Sequence, residues 1–295
     1  MSRDAGRPRV NLVDPMIARR TWRTLEPIHG MIYFVPEAVD AYRAIGVTGR
    51  SGYFGSRAAP MGAVDAALVQ ATFFNFHPAL VRDALDGLWN RTTPAALVEA
   101  RLAAADAALR RAWGHGVDSD DLRRGATIAR SAAVVASDRI DGRPLFAGHA
   151  TLDWPEVPHL VIWHAQTLLR EFRGDGHIAL LVAEGLTGLD ALVLHAATGE
   201  VPRAALQATR QWSDAEWDSG VESLAERGLV ESDGAFTEEG RRLRAFIEDR
   251  TDALALEPYR RIGEDACGDL RALARPFSKG ILDAGLLRMS PVSAD

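Results

Sequence analysis

Apolar residues recur at helical spacing along this chain, and strict alternation with polar residues is scarce before residue 228, which predicts a mainly α protein. Ile17, Trp22, Leu25 and Ile28 share one helical face, with Pro27 forcing a kink or a restart. Pro36 opens a short helix that Gly46 stops, Pro78 opens a second, and Pro94 opens a long alanine-rich third reaching about Trp113. Ser119 starts another, over residues 119–137. Two passages read as non-helical. Residues 49–62 hold four glycines and a proline and predict a loop, and Gly142-Arg143-Pro144 predicts a turn followed by a loop or extended passage over 145–152.

The stretch from Trp154 to His195 concentrates the chemistry. Pro158 suits the first turn of a helix carrying Trp163 to Phe172. Gly174-Asp175-Gly176 predicts a break, with Asp175 capping a second helix that begins near His177. A helix N-terminus offers free N–H groups and a partial positive charge, so this joint predicts an anion site with Arg170 and Arg173 as forked donors. The competing reading pairs those arginines with Glu171 or Asp175 and leaves only a closed helix end.

Downstream come a helix over 189–197, a short one over 202–209, and a third whose Ser213 and Glu216 make a capping box. Residues 229–237 predict a strand, a tight Asp-Gly turn and a returning strand. Thr237 then caps a long helix with Leu243, Phe246 and Ile247 inward. This order resembles the MarR-type winged helix-turn-helix over about 65 residues, with Leu-Ala-Glu-Arg-Gly-Leu-Val and Thr-Glu-Glu-Gly close to that family's wing. The expected architecture is a flexible arm (1–13), a helical domain with the ligand site (14–180), and a winged-helix domain with a small β-wing and C-terminal helices (181–295).

Charge argues against this winged helix reading DNA. Its third helix carries Asp214, Glu216, Asp218, Glu222 and Glu226 against Arg227 alone, whereas DNA affinity comes mainly from neutralised phosphates. The whole chain, at net charge −6, is also acidic. The module is therefore expected to serve packing, a protein partner or a homodimer contact rather than DNA. The longest apolar run, residues 178–197, is interrupted by Glu184 and Asp190, so no membrane span is expected. The first residues lack an apolar secretion core, which predicts a cytoplasmic protein. Cys267, the one cysteine, excludes an internal disulfide and a cysteine-rich metal site; no metal or cofactor is expected. Basic residues are nearly all arginine, which lowers the weight of any single one.

Other passages resemble, over nearly the full length, an actinobacterial helix-turn-helix family of unassigned function. These are Tyr53-Phe54-Gly-Ser-Arg57-Ala-Ala-Pro-Met-Gly, Phe74-Asn75-Phe76, Gly142-Arg143-Pro144-Leu145, Trp163-His164-Ala-Gln-Thr-Leu-Leu-Arg170, Arg173-Gly-Asp-Gly-His177 and Glu248-Asp249-Arg250-Thr251-Asp252. The chain is also similar to the group containing an aziridine-forming enzyme of azinomycin biosynthesis. That resemblance implies lyase or cyclase chemistry of specialised metabolism, in which an anionic substrate expels sulfate or a similar anion, with a partner subunit. It assigns no catalytic residue.

The residues themselves nominate Tyr53, Arg57, Asn75, Arg170 and Arg173 for binding the anion, and His164, His177 and Asp175 for moving a proton. Each has a plainer role open: Tyr53 as a core aromatic, Arg57 as a surface arginine, His164 as a buried hydrogen-bonded histidine, Asn75 as a partner of its own backbone. A ligand-sensing MarR-like regulator and a non-catalytic partner subunit are the alternative functions.

Overall fold

Prolines and short polar side chains start most of the helices, because both leave the first-turn N–H groups either absent or capped. The computed structural model describes residues 14–287, and among them sixteen α-helices follow in order. The first group is α1 (Met16–Gly30), α2 (Pro36–Ala44), α3 (Gly49–Ala58), α4 (Ala66–Phe73), α5 (Pro78–Leu85), α6 (Leu88–Arg91), α7 (Pro94–Trp113), α8 (Asp120–Ser137) and α9 (Pro144–Ala150). Then come α10 (Pro158–Ala183), α11 (Gly188–Ala196), α12 (Arg203–Arg210), α13 (Asp214–Glu226), α14 (Glu238–Leu254), α15 (Glu257–Ile262) and α16 (Glu264–Asp283). Pro36, Pro78, Pro94 and Pro158 sit in first turns, Ser119 and Thr237 accept cap hydrogen bonds, and Ser213 and Glu216 form the expected box. Proposed residues 1–13 of the arm lie outside the described residues.

The long α10 is the axis of the fold. It runs without interruption through Gly174, Asp175 and Gly176, so the predicted break and second helix start are absent. Tertiary packing overrides a local cost of about 1 kcal/mol per glycine. α14 packs beside Gly176, where Leu254 would meet a Cβ at an ordinary contact distance of 3.6 Å. Asp175 caps a neighbour instead of its own helix: its carboxylate accepts the Phe146 backbone N–H of α9 at 2.9 Å.

Residues 49–62 are also mostly helical. The glycines of α3 serve close approach rather than turning, because a Cβ on Gly52 would lie 2.8 Å from the Tyr42 ring and one on Gly55 2.7 Å from Leu88. Likewise most of the passage after Pro144 is α9.

The expected β-wing is not present. Among the described residues there is no strand, only an isolated antiparallel bridge between Val230 and Phe236. Gly234 N–H donates to the Glu231 carbonyl and closes a tight turn, so the arms are too short for a ladder, and an isolated two-stranded hairpin is marginal in any case. The mainly α class stands without its β element. On α14 Ile247 is buried, but Phe246 is 47% exposed.

Two apolar cores divide the chain. The larger holds side chains of α1–α10 and also Tyr259, Cys267, Leu270, Ala274 and Ile281, so α15 and α16 return to it. The smaller joins Leu181 and Leu186 to Leu192, Val193, Leu206, Trp217, Leu224 and Ile247. α10 thus contributes to both. No single described helix is long and apolar enough to cross a membrane.

Candidate functional site

One face of α10 gathers the buried polar groups. Trp163, His164, Thr167, Arg170 and Glu171 recur at spacings of three and four, so they project together from the helix. Facing them are Glu26 and His29 at the end of α1, Tyr33 just beyond it, Tyr53 and Arg57 on α3, Arg101 on α7 and His149 on α9. The helices are rigid and tightly packed, and this fixes side chains far apart in sequence within one small volume.

Two of the arginines share a carboxylate. Arg170 bonds Glu26 at 2.9 Å and Glu171 at 2.9 Å, and Arg57 reaches Glu171 at 3.4 Å while donating to the Tyr53 hydroxyl at 2.9 Å. Burial by itself would raise the Glu171 carboxyl, but Arg170 and Arg57, with smaller help from His149 and Arg101, hold it at about 2. Its charge is thereby fixed at neutral pH.

His29 has a defined proton. The Thr167 hydroxyl donates to the Trp163 carbonyl, so it can only accept from His29 Nδ1–H at 2.8 Å. Its Nε2 then accepts from the Tyr33 hydroxyl at 2.7 Å. Burial, reinforced by Arg170, pushes His29 well below the usual imidazole range, so it is neutral.

Arg101 is the exception to this pairing. It is 3% exposed, and among the described residues none of its three guanidinium nitrogens has a hydrogen-bond partner. Its charge lies 5.5 Å from both the Tyr33 and Trp163 ring centroids, and the Tyr33 ring also carries Arg57 at 5.5 Å and Arg170 at 5.7 Å. Cation–π attraction contributes roughly 0.5–2 kcal/mol per contact, whereas an unpaired buried ion costs several kcal/mol. The aromatic walls therefore do not offset the charge. Around it, Trp163 Nε1, His149 Nε2, His164 Nε2 and Arg57 Nε are also buried without partners. Burial and then Arg101 hold His149 at about 3 and His164 at about 4, so both imidazoles are neutral. The arrangement is a positively charged, aromatic-walled interior with free donors and two unprotonated imidazoles.

The nominated residues separate into groups. Tyr53, Arg57 and Arg170 meet in this cluster, and His164 borders it, its ring edge-on to Trp154 at 4.8 Å. Arg173 and His177 lie elsewhere, against α14. Arg173 bonds Asp252 at 2.6 Å and Glu248 at 3.3 Å, Arg19 reaches Asp252 at 2.7 Å, and His177 Nδ1 lies 2.9 Å from the Thr251 hydroxyl. Arg173 is therefore ion-paired, but with carboxylates of α14 rather than with the Glu171 or Asp175 of the sequence reading; only Arg170 pairs with Glu171. Asp175 holds α9, and burial pushes its carboxyl up to about 7. Asn75 uses its backbone carbonyl to accept from Trp212 Nε1 at 3.0 Å.

Sequence reasoning missed His29, Tyr33, Arg101 and His149. Arg101 left a signal: it is the lone charge on an α7 face otherwise made of Leu97, Ala104, Ala105 and Ala108, all buried. The others left none that an isolated residue could show.

In the second core, α12 and α13 meet at Gln211, whose φ of 60° makes the sharp turn between them. The outer face of α13 exposes Asp214, Asp218, Glu222 and Glu226, and Arg203 is already paired with Asp214 at 3.1 Å and Asp218 at 2.7 Å. The model of a helix-turn-helix family matches residues 18–288. The chain belongs to this helix-turn-helix family. No curated protein and no solved structure matches it. The family match takes in the buried polar cluster together with the helix-turn-helix, so both lie within the one family segment.

Proposed function

We propose that this chain binds an anionic small molecule inside its helical half and acts on it as an elimination or cyclisation enzyme, with the helix-turn-helix in a supporting role. One observation carries the reading: Arg101, buried, charged and unpaired, amid donors that have no partner. Such an interior stabilises negative charge where it develops, because donors held in a dry site need no reorganisation during reaction. In the proposed step, His149 takes a proton from the substrate. The freed electron pair forms the new bond as the carbon–oxygen bond to the leaving group breaks, both electrons of that bond going to the oxygen, and the sulfate-like anion departs against Arg101 and Arg57. An anion bound beside His149 raises its basicity from the depressed value of the empty protein, which matches base strength to the loaded state.

The test is release of inorganic sulfate or phosphate from small amino-alcohol sulfate and phosphate monoesters. The expected result is turnover by the wild type and none by Arg101→Met. Tight binding without release by any member of the set would remove the enzymatic part of the reading.

Family membership favours a second reading, a ligand-responsive regulator. It requires the helix-turn-helix to bind DNA despite the acidic face of α13. A gel shift on the gene's own upstream DNA, titrated with salt, tests it: a steep loss of affinity with salt supports phosphate contacts, and no shift at low salt ends it.

A further inference from the structure

Arg210 is the last residue of α12, and its backbone and side chain both reach the helical half. Its carbonyl accepts the His77 N–H at 3.0 Å, and nearby Trp212 donates to the Asn75 carbonyl at 3.0 Å. The N-terminus of α11 presses on the same segment, since a Cβ on Gly188 would fall 2.1 Å from the Phe74 carbonyl oxygen. These contacts therefore hold the backbone of residues 74–77.

With Phe73 beside it, that segment is also a wall of the polar cluster. The Arg57 guanidinium lies 4.3 Å from the Phe73 ring centroid, and Phe76 packs on Tyr53 at 5.6 Å. Phe76 also carries the Arg210 guanidinium, 5.1 Å from its ring centroid. Arg210 donates to the neighbouring Thr209 hydroxyl at 2.7 Å, but its Nε is buried without a partner. Burial first, with Arg57 and Arg50, holds its guanidinium below the ordinary range against an opposing pull from Tyr53, and no carboxylate is among the groups that act on it. A second under-paired arginine thus shares the Phe76 ring with Tyr53, whose hydroxyl accepts from Arg57.

We infer that Arg210, supplied by the helix-turn-helix, is the outer binding residue of the anion site, and that an anionic small molecule reaches Arg101 by passing Arg210, Tyr53 and Arg57. This rests on the anion-site reading above and adds to it a role for the helix-turn-helix, as the charged mouth of the site. Its cations raise the local concentration of an anion and speed capture, an effect that falls with ionic strength.

The experiment follows binding of inorganic sulfate to the full chain by stopped-flow tryptophan fluorescence, with Trp163 beside Arg101 as the expected reporter and calorimetry for affinity. Arg210→Leu keeps the stem that packs on Phe76, and Arg210→Lys keeps the charge. The expected result is association slowed by about 10-fold in Arg210→Leu at low salt, with a flatter salt dependence and a thermal midpoint near wild type. Arg210→Lys should restore most of the rate, which a purely structural arginine would not require. If Arg101→Met abolishes binding while Arg210→Leu associates at the wild-type rate and salt dependence, the role of Arg210 is overturned and the anion site survives. If the wild type does not bind sulfate, or Arg101→Met binds it as tightly, both fall.

Discussion

Arg101 and Trp163 face each other across the interior with the guanidinium 5.5 Å from the indole ring, yet neither the three guanidinium nitrogens nor the indole N–H has a hydrogen-bond partner. A polar pair placed together for stability alone would satisfy at least its charged member, because an unpaired buried charge opposes folding. The pair instead keeps its donors free. Function and stability should therefore oppose each other at this position.

Replacing Arg101 with Met tests that opposition directly. Met retains the aliphatic bulk and removes the uncompensated charge, so the empty protein should gain on the order of 1–3 kcal/mol. Urea denaturation of the two proteins measures it. A variant less stable than wild type would mean that Arg101 holds the fold together rather than waiting for an anion.

Arg173 should behave in the opposite way. It sits with Asp252, which is 1% exposed, and removing it leaves that carboxylate with Arg19 alone. Arg173→Ala should cost about 2–4 kcal/mol without weakening sulfate binding at the Arg101 cluster. A double-mutant cycle with Asp252→Asn should give a coupling above about 1 kcal/mol. Loss of anion binding at unchanged stability would return Arg173 to the site.

Asp175 supplies a pH signature. Its folded carboxyl is raised to about 7, against an unfolded value of about 3.9, so the folded chain holds this proton more tightly. The contribution is full below about pH 4 and is lost as pH rises through 7. Asp175→Asn can still accept the Phe146 N–H and cannot ionise. Its stability relative to wild type should therefore climb between about pH 4 and 7, as read by denaturation at several pH values. A constant difference across that range would refute the raised carboxyl.

His149 gives the reverse sign. Burial and Arg101 depress its folded value to about 3 against about 6.5 unfolded, so its contribution is present above 6.5 and drains away as pH falls toward 3. His149→Gln should flatten the acid limb of the stability curve. Bound sulfate should lift the His149 titration toward neutrality, which NMR of the imidazole can follow. An unmoved titration in saturating sulfate would place the anion elsewhere.

Helix starts at Pro36, Pro78, Pro94, Pro158 and Ser213 were legible because a ring or a cap acts on its own first turn, within reach of a few residues. Glycines were legible only in part: Gly46 ends α2 at positive φ as expected, but the same residue type serves a turn or a close approach. Gly52 and Gly55 sit inside α3 because Tyr42 and Leu88 come near, and Gly174 and Gly176 leave α10 unbroken as it packs beside α14. The wing failed for a related reason: Asp-Gly gives a turn, but a ladder needs partners beyond it, and here a single bridge forms.

Residue types alone nominated Arg57, Arg170 and His164, with Arg57 expected on a loop and the other two on one helix. Only the packing of α1, α3, α7 and α9 around α10 decided that Arg57 and Arg101 join Arg170 while Arg173, three residues on, pairs with α14. The physical reason is that a charge's partner is chosen by distance in space. One turn of a helix is enough to aim two neighbouring arginines at different helices, and no local pattern records what those helices present.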